Sequence, residues 1–155
     1  GLICDEPLIQ RVQQEIGRLA PGMVYAPSWW EIHPDHAGLS GAVTEALRRI
    51  SEAPVLVLYE VGMPLHPNCL LDITAVLDRK QAAMGCFASQ MVKQSYDRHI
   101  LALNRYRTYT LPSTVIAAEA YRRVDRVTLM KHRITVPLTG LMEPDNVEGN
   151  GWTVS

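Results

Sequence analysis

Two imidazoles and a carboxylate fall within four positions in His33-Pro34-Asp35-His36, directly after Trp30-Glu31-Ile32. Imidazole nitrogen and carboxylate oxygen are the usual ligands of a catalytic Zn²⁺, which takes three from the protein and keeps a fourth position for water. One loop does not easily supply all three. The segment instead offers one ligand, one free imidazole and a carboxylate, Asp35, able to hold an imidazole in the right tautomer. The structural alternative is a turn in which Asp35 caps the next helix. His66, in a Pro-bounded loop, and His99 and His132, with no Cys or carboxylate at ligand-like spacing, have weaker claims, since a lone His is often a packing residue.

Other chemistries find little support. Cys4, Cys69 and Cys86 are odd in number and irregularly spaced, so they are expected to be reduced thiols of a cytoplasmic protein, packed as small apolar side chains. No phosphate-binding glycine loop and no Gly-x-Ser-x-Gly elbow occurs. The second half is locally basic, from Arg98 through Arg133, which reads as a solvated face before it reads as an anion clamp.

The elements that must position the cluster follow from periodicity. Leu8, Ile9, Val12, Ile16 and Leu19 recur at helical spacing over Glu6–Leu19, with Pro7 near the start where its missing N–H costs least. Ala20-Pro21-Gly22 ends that helix, and Met23-Val24-Tyr25-Ala26 predicts a short buried strand closed by Pro27. A second amphipathic helix is expected over Ala37–Ile50, and the apolar run within Pro54–Glu60 predicts a strand covered on both faces.

Helix and strand alternating in this way imply an α/β fold: a Rossmann-like, mostly parallel sheet flanked by helices. The chemical cluster then lies just beyond a strand's carboxyl end, where open α/β sheets build their sites.

Farther on, Gly62–Leu70 reads as an ordered loop, Asp72 as the cap of a helix starting near Ile73, and Ala75–Tyr106 as helical with breaks at Gly85 and Ser89-Gln90, two helices being expected. Val115–Val124 is expected to be a short helix, and Arg126–Met130 with Arg133–Val136 a terminal hairpin or edge strands. The turn-rich tail Glu143–Ser155 is expected at the surface.

Fifteen Lys and Arg against 16 Asp and Glu leave a net charge of −1, which gives no electrostatic basis for nucleic-acid binding. The 155 residues fit a single domain, and the apolar runs are far shorter than the roughly 20 residues of a membrane span.

Met23-Val24-Tyr25-Ala26-Pro27, then His33-Pro34-Asp35-His36 and an Ala/Val/Leu helix, resembles the second signature of the PIG-L or LmbE-like family of zinc-dependent amino-sugar de-N-acetylases. Tyr59-Glu60, Pro67-Asn68, Asp72-Ile73, Lys80, Ala83, Ser89-Gln90, Asn104-Arg105-Tyr106-Arg107 and Ala118-Glu119-Ala120-Tyr121 look like its later landmarks in the same order, so the resemblance extends to about Val124.

The resemblance implies hydrolysis of the N-acetyl group of an N-acetylglucosamine-type sugar conjugate at one Zn²⁺. It makes His36 a zinc ligand, His33 an acid or electrostatic stabiliser beside the scissile amide and Asp35 the residue that orients His33. Trp30 and Glu31 would line the sugar subsite, the equal alternative being a packed aromatic and a solvated acid. The family's first signature, an Ala-His-Pro-Asp-Asp-Glu run supplying the other two ligands and the general base, is absent from this sequence. The chain is therefore expected to be the C-terminal part of such a domain, incomplete at its N-terminal side and closely associated with an upstream segment or a partner subunit; homo-oligomerisation stays open. The alternatives are a non-catalytic sugar-binding or interaction domain of the same fold, and a metal-free acid–base hydrolase using Asp35 and His33.

Overall fold

The structure, a computed structural model, describes residues 1–132. Helix α1 (Glu6–Leu19) starts at Asp5, whose carboxylate accepts the Leu8 N–H at 3.0 Å, and stops at Ala20, the one non-glycine residue with positive φ among the described residues. Strand β1 (Met23–Pro27), helix α2 (Pro34–Arg48) and strand β2 (Val55–Tyr59) come next, as expected. β1 and β2 are parallel, with Met23 opposite Val55 and Pro27 opposite Tyr59, and α2 is the crossover that a parallel pair requires.

The α/β expectation holds, with a sheet that is mixed beyond its first pair. Strand β3 (Cys69–Asp72) and strand β4 (Ala118–Val124) complete four strands in the order β1-β2-β4-β3, and β4 runs antiparallel to both its neighbours. Among the described residues, parallel pairing is thus confined to β1 and β2. β1 lies at the sheet's edge and is paired on one side only among the described residues.

Three local expectations are corrected. Ala and Arg favour a helix over Val115–Val124, but Ala118, Ala120 and Val124 are buried at even spacing while Glu119 and Tyr121 face the other way, a period of two that pairing with β2 and β3 stabilises. Cys69–Asp72 is a strand, not the end of a loop and the start of a helix; Asp72 still acts as a cap, accepting the Thr74 N–H at 2.8 Å ahead of a 3-10 turn over Thr74–Val76. Arg126–Lys131 is a helix rather than a strand, because Asp125 caps it by accepting the Thr128 N–H at 2.7 Å. The two helices expected up to Tyr106 are α3 (Leu77–Gly85) and α5 (Tyr96–Tyr106), with the single turn α4 (Ala88–Met91) between them; Arg126–Lys131 is then α6. Arg133–Val136 and the tail from Glu143 lie outside the described residues.

The core fills the space between the sheet and helices α1 and α2. Ile16, Val43, Leu47, Leu56, Leu58, Leu65, Val124 and Leu129 form its main cluster, and Cys4, Ile9, Ala42 and Ala46 a second one between α1 and α2. Gly38 sits where α2 meets the N-terminal segment: a Cβ there would stand 2.6 Å from the Leu2 carbonyl oxygen. Of the three thiols, which are all free, Cys4 is buried as expected, whereas Cys69 is half-buried and Cys86 exposed. The strand over Pro54–Glu60 is covered on both faces at Leu56, Val57 and Leu58, but in β1 Met23 and Tyr25 are 49% and 58% exposed on the side away from α2. Among the described residues no helix is long and apolar enough to cross a membrane.

Candidate functional site

β1 delivers the chain at Pro27 into Ser28–Ile32, and α2 then begins with His33 as its cap, so the whole cluster sits at the carboxyl end of a strand. Buried polar contacts fix this passage. Ser28 N–H donates to Tyr59 O at 2.9 Å, Ser40 Oγ to Pro27 O at 2.8 Å, and Trp29 Nε1 to Thr44 Oγ1 at 2.8 Å. Ser28, Ser40 and Thr44 are all fully buried, and each is satisfied, as burial of a hydroxyl demands.

Glu31 organises the site. Its side chain is completely buried, and its Oε1 accepts the backbone N–H groups of Val61, Gly62 and Met63 at 2.9, 3.2 and 3.3 Å. Oε2 accepts the Gly62 N–H at 2.9 Å and lies 3.3 Å from Nδ1 of His36. Three successive amides make an anion nest just past β2, and Gly62 keeps it open, since a Cβ at that position would come to 3.3 Å from Oε2. The resemblance puts Glu31 in the sugar subsite; the structure gives it these internal contacts. The signal in the sequence is slight, a glycine soon after the second strand and far from Glu31.

The two imidazoles are set to different tasks. A carboxylate facing Nδ1 of His36 places the ring proton there and leaves Nε2 with its lone pair, the arrangement of a carboxylate-supported metal ligand. His33 Nδ1 accepts the backbone N–H of Asp35 at 3.2 Å, so the proton of its neutral ring is on Nε2, a donor. The ring centroids are 4.8 Å apart. A Lewis base and a proton donor thus stand side by side.

Asp35 is expected to orient His33 by its carboxylate. In the structure its backbone N–H contacts that ring, while Oδ1 accepts the Leu2 N–H at 2.6 Å and ties the N-terminal segment to the start of α2. Trp30 is 42% exposed, edge-on to Trp29 and to His66, with centroids 6.0 and 5.9 Å away. His66, a weak candidate in its Pro-bounded loop, therefore borders the cluster through Trp30. His132 stacks on Trp29 at 3.7 Å between centroids and 7° between planes, and burial, then the nearby Arg48, pushes its pKa below the usual histidine value. His99 lies on α5, within Tyr96–Tyr106.

His36 is the one imidazole with carboxylate support, and among the described residues no group of three His, Cys, Asp or Glu side chains is placed to hold a metal ion. These residues alone do not form a zinc site.

A second set of polar side chains gathers at β2 and β4. Glu60 accepts from Arg107 and from the Leu65 N–H, and Arg107 also donates to the Leu65 carbonyl at 2.9 Å. Lys80 Nζ stands 2.5 Å from Glu119 Oε1, while the Tyr121 hydroxyl donates to Oε2. Burial raises the Glu119 pKa, but hydrogen bonds from Lys80 and Tyr121 outweigh it and leave the carboxyl below its usual range. Burial and then the same Glu119 contact raise the Tyr121 pKa.

No protein-family model matches the sequence. Similar solved structures include those of two named proteins. The conserved protein TT1542 from Thermus thermophilus is 28% identical, with a TM-score of 0.68 over 79% of this chain and 60% of its own. GalB, the 4-carboxy-2-hydroxymuconate hydratase from Pseudomonas putida KT2440, is 25% identical, with a TM-score of 0.62 over 78% of this chain and 59% of its own. The chain therefore spans about 60% of the length of the structures it matches, and it shares the fold of at least one enzyme.

Proposed function

We propose that the chain is the C-terminal part of a zinc-dependent N-deacetylase of the PIG-L or LmbE-like kind, hydrolysing the N-acetyl group of an N-acetylglucosamine-type conjugate. The observation that carries this reading is the Glu31–His36 contact, which leaves Nε2 of His36 free as a donor while the neighbouring His33 presents a proton. Zinc, when bound, would polarise the amide carbonyl and make hydroxide available near neutral pH. His36 is its ligand from this chain.

The remaining donors come from polypeptide outside these residues, an upstream segment or a partner subunit. The one-sided pairing of β1 and the exposure of Met23 and Tyr25 support that assignment. Glu31 acts through His36, holding the ring against rotation and keeping the proton on Nδ1. His33 Nε2 is positioned to hydrogen-bond the developing oxyanion or to protonate the departing amine. Trp30 offers an exposed aromatic face for a sugar ring.

The test uses the complete encoded protein, with bound zinc measured by mass spectrometry and acetate release from N-acetylglucosaminyl conjugates measured alongside. His36→Ala is expected to abolish both. Stoichiometric zinc or full acetate release in that variant would overturn the reading.

A second reading is favoured by the likeness to GalB: addition of water to an unsaturated acid, in which the same proton-donating and basic imidazoles would serve a hydratase. Turnover of 4-carboxy-2-hydroxymuconate without acetate release selects it. A sugar-binding domain without catalysis would show neither turnover nor zinc.

A further inference from the structure

Trp30 is in contact with two rings that are themselves anchored. The first is Trp29, 6.0 Å away between centroids, which is fixed by its bond to Thr44 and by the His132 ring stacked on it. The second is His66, at 5.9 Å and 87° between planes, the edge-to-face arrangement that aromatic pairs prefer. Trp30 adds one local bond, from its backbone N–H to Ser28 Oγ at 3.1 Å.

His66 is exposed to solvent, yet the loop that carries it is fixed almost residue by residue. Glu31 holds the amides of Val61, Gly62 and Met63 at its start. Leu65 is buried in the core, its N–H donates to Glu60 and its carbonyl accepts from Arg107. The His66 carbonyl accepts from Arg122 at 3.0 Å, while the Asn68 side chain donates to Arg123 O and accepts the Arg123 N–H, both at 2.8 Å. Pro67 in addition disfavours helical backbone at the residue before it, His66.

Surface loops are usually mobile, because fixing each residue costs conformational entropy. Burial of Leu65 accounts for part of the order in this one. It does not account for a second arginine, from β4, on the next carbonyl. What that arginine fixes is the backbone from which the imidazole reaches Trp30.

We propose that His66 is a positioning residue for Trp30: held on a rigid loop, its imidazole sets the pose of an indole three residues before His33, and through the indole the affinity for a ligand at the His33–His36 loop. Without the imidazole, the indole keeps Trp29 as its one aromatic neighbour and gains freedom that a ligand must then remove. The effect on Trp30 stands on geometry alone; the effect on ligand affinity rests on the deacetylase reading, in which Trp30 meets the substrate.

The test uses the complete encoded protein labelled with fluorotryptophan, the Trp30 resonance in fluorine NMR being identified by its loss in Trp30→Phe. His66→Ala, at an exposed position, should shift or broaden that resonance and leave the thermal unfolding midpoint in place. His66→Phe, which keeps a ring there, should return the resonance toward wild type. In acetate-release assays His66→Ala should raise KM about two- to tenfold, the scale of one aromatic contact, with kcat within about twofold. In a Trp30→Ala background the same substitution should leave KM where Trp30→Ala puts it, because His66 acts through the indole.

An unmoved Trp30 resonance in His66→Ala overturns the proposal. So does a shift of all tryptophan resonances together that His66→Phe fails to reverse, which would mark a general structural role, or a further rise in KM in the Trp30→Ala background, which would make His66 a direct ligand contact. A protein that shows the resonance response yet releases no acetate refutes the deacetylase reading and leaves the positioning of Trp30 supported.

Discussion

The two faces of the sheet solve the problem of burial in opposite ways. Toward α1 and α2 the strands present Ala26, Leu56, Leu58 and Val124, and the space is closed with hydrocarbon and a few satisfied hydroxyls. Toward α5 they present tyrosines and the Glu119 carboxylate, which Lys80 of α3 neutralises beside a cavity. The first face is built for stability, since apolar burial and close packing give the largest non-directional return. The second retains polar groups that cost desolvation and that only contacts of the right geometry offset.

Substitutions sharpen this contrast in descending order. Leu58→Ala or Leu47→Ala, at side chains with no exposure, should lower unfolding free energy by about 2–5 kcal/mol in urea titrations. A loss below about 1 kcal/mol would mean that the helix-covered face is not the stabilising one. Gly38→Ala pushes a methyl against the Leu2 carbonyl and should cost about 1–3 kcal/mol, the range of overpacking.

On the polar face Lys80→Met should cost less, about 1 kcal/mol at neutral pH, since the pair is still reached by solvent and Tyr121 continues to hold Glu119. Its pH dependence has a definite sign. The folded pKa of Glu119 lies below its unfolded value, so its contribution is present above the ordinary carboxylate range and is lost as pH falls through the folded pKa. The difference between wild type and Lys80→Met should therefore shrink on acidification; a widening gap would break the comparison.

The smallest effect concerns His132. Its folded pKa is depressed, so stability is present above the ordinary histidine value and declines as pH falls below it. His132→Phe, which preserves a ring against Trp29, should flatten that part of the stability curve.

The hydrocarbon face was legible in the sequence and the polar face was not. α1, β1, α2 and β2 each bury one stripe or one short run, and Leu8 to Leu19 or Val55 to Tyr59 announce that directly. β4 has a weak intrinsic pattern, because Ala118 and Ala120 suit a helix as well as a strand and pairing with two neighbours decides. β3 is four residues long and comes after two prolines, so its strand character exists only through its bonds to β4.

At the site, His33 and His36 were visible because their spacing is local. The nest that holds Glu31 was not, because Val61, Gly62 and Met63 contribute main-chain N–H groups, which no side-chain pattern records. Lys80, Asn104 and Glu119 stood in the sequence as landmarks without a task, and only the folded sheet brings them to one cavity.

The carboxylate clasped by three amides joins two crossings of the chain that are otherwise separate, the link from β1 to α2 and the turn leaving β2. Deuterium uptake at Val61, Gly62 and Met63 is therefore a reporter for the orientation of a histidine some way upstream. A ligand or partner that stiffens that imidazole would register as slower exchange at those amides, even if it never touched them.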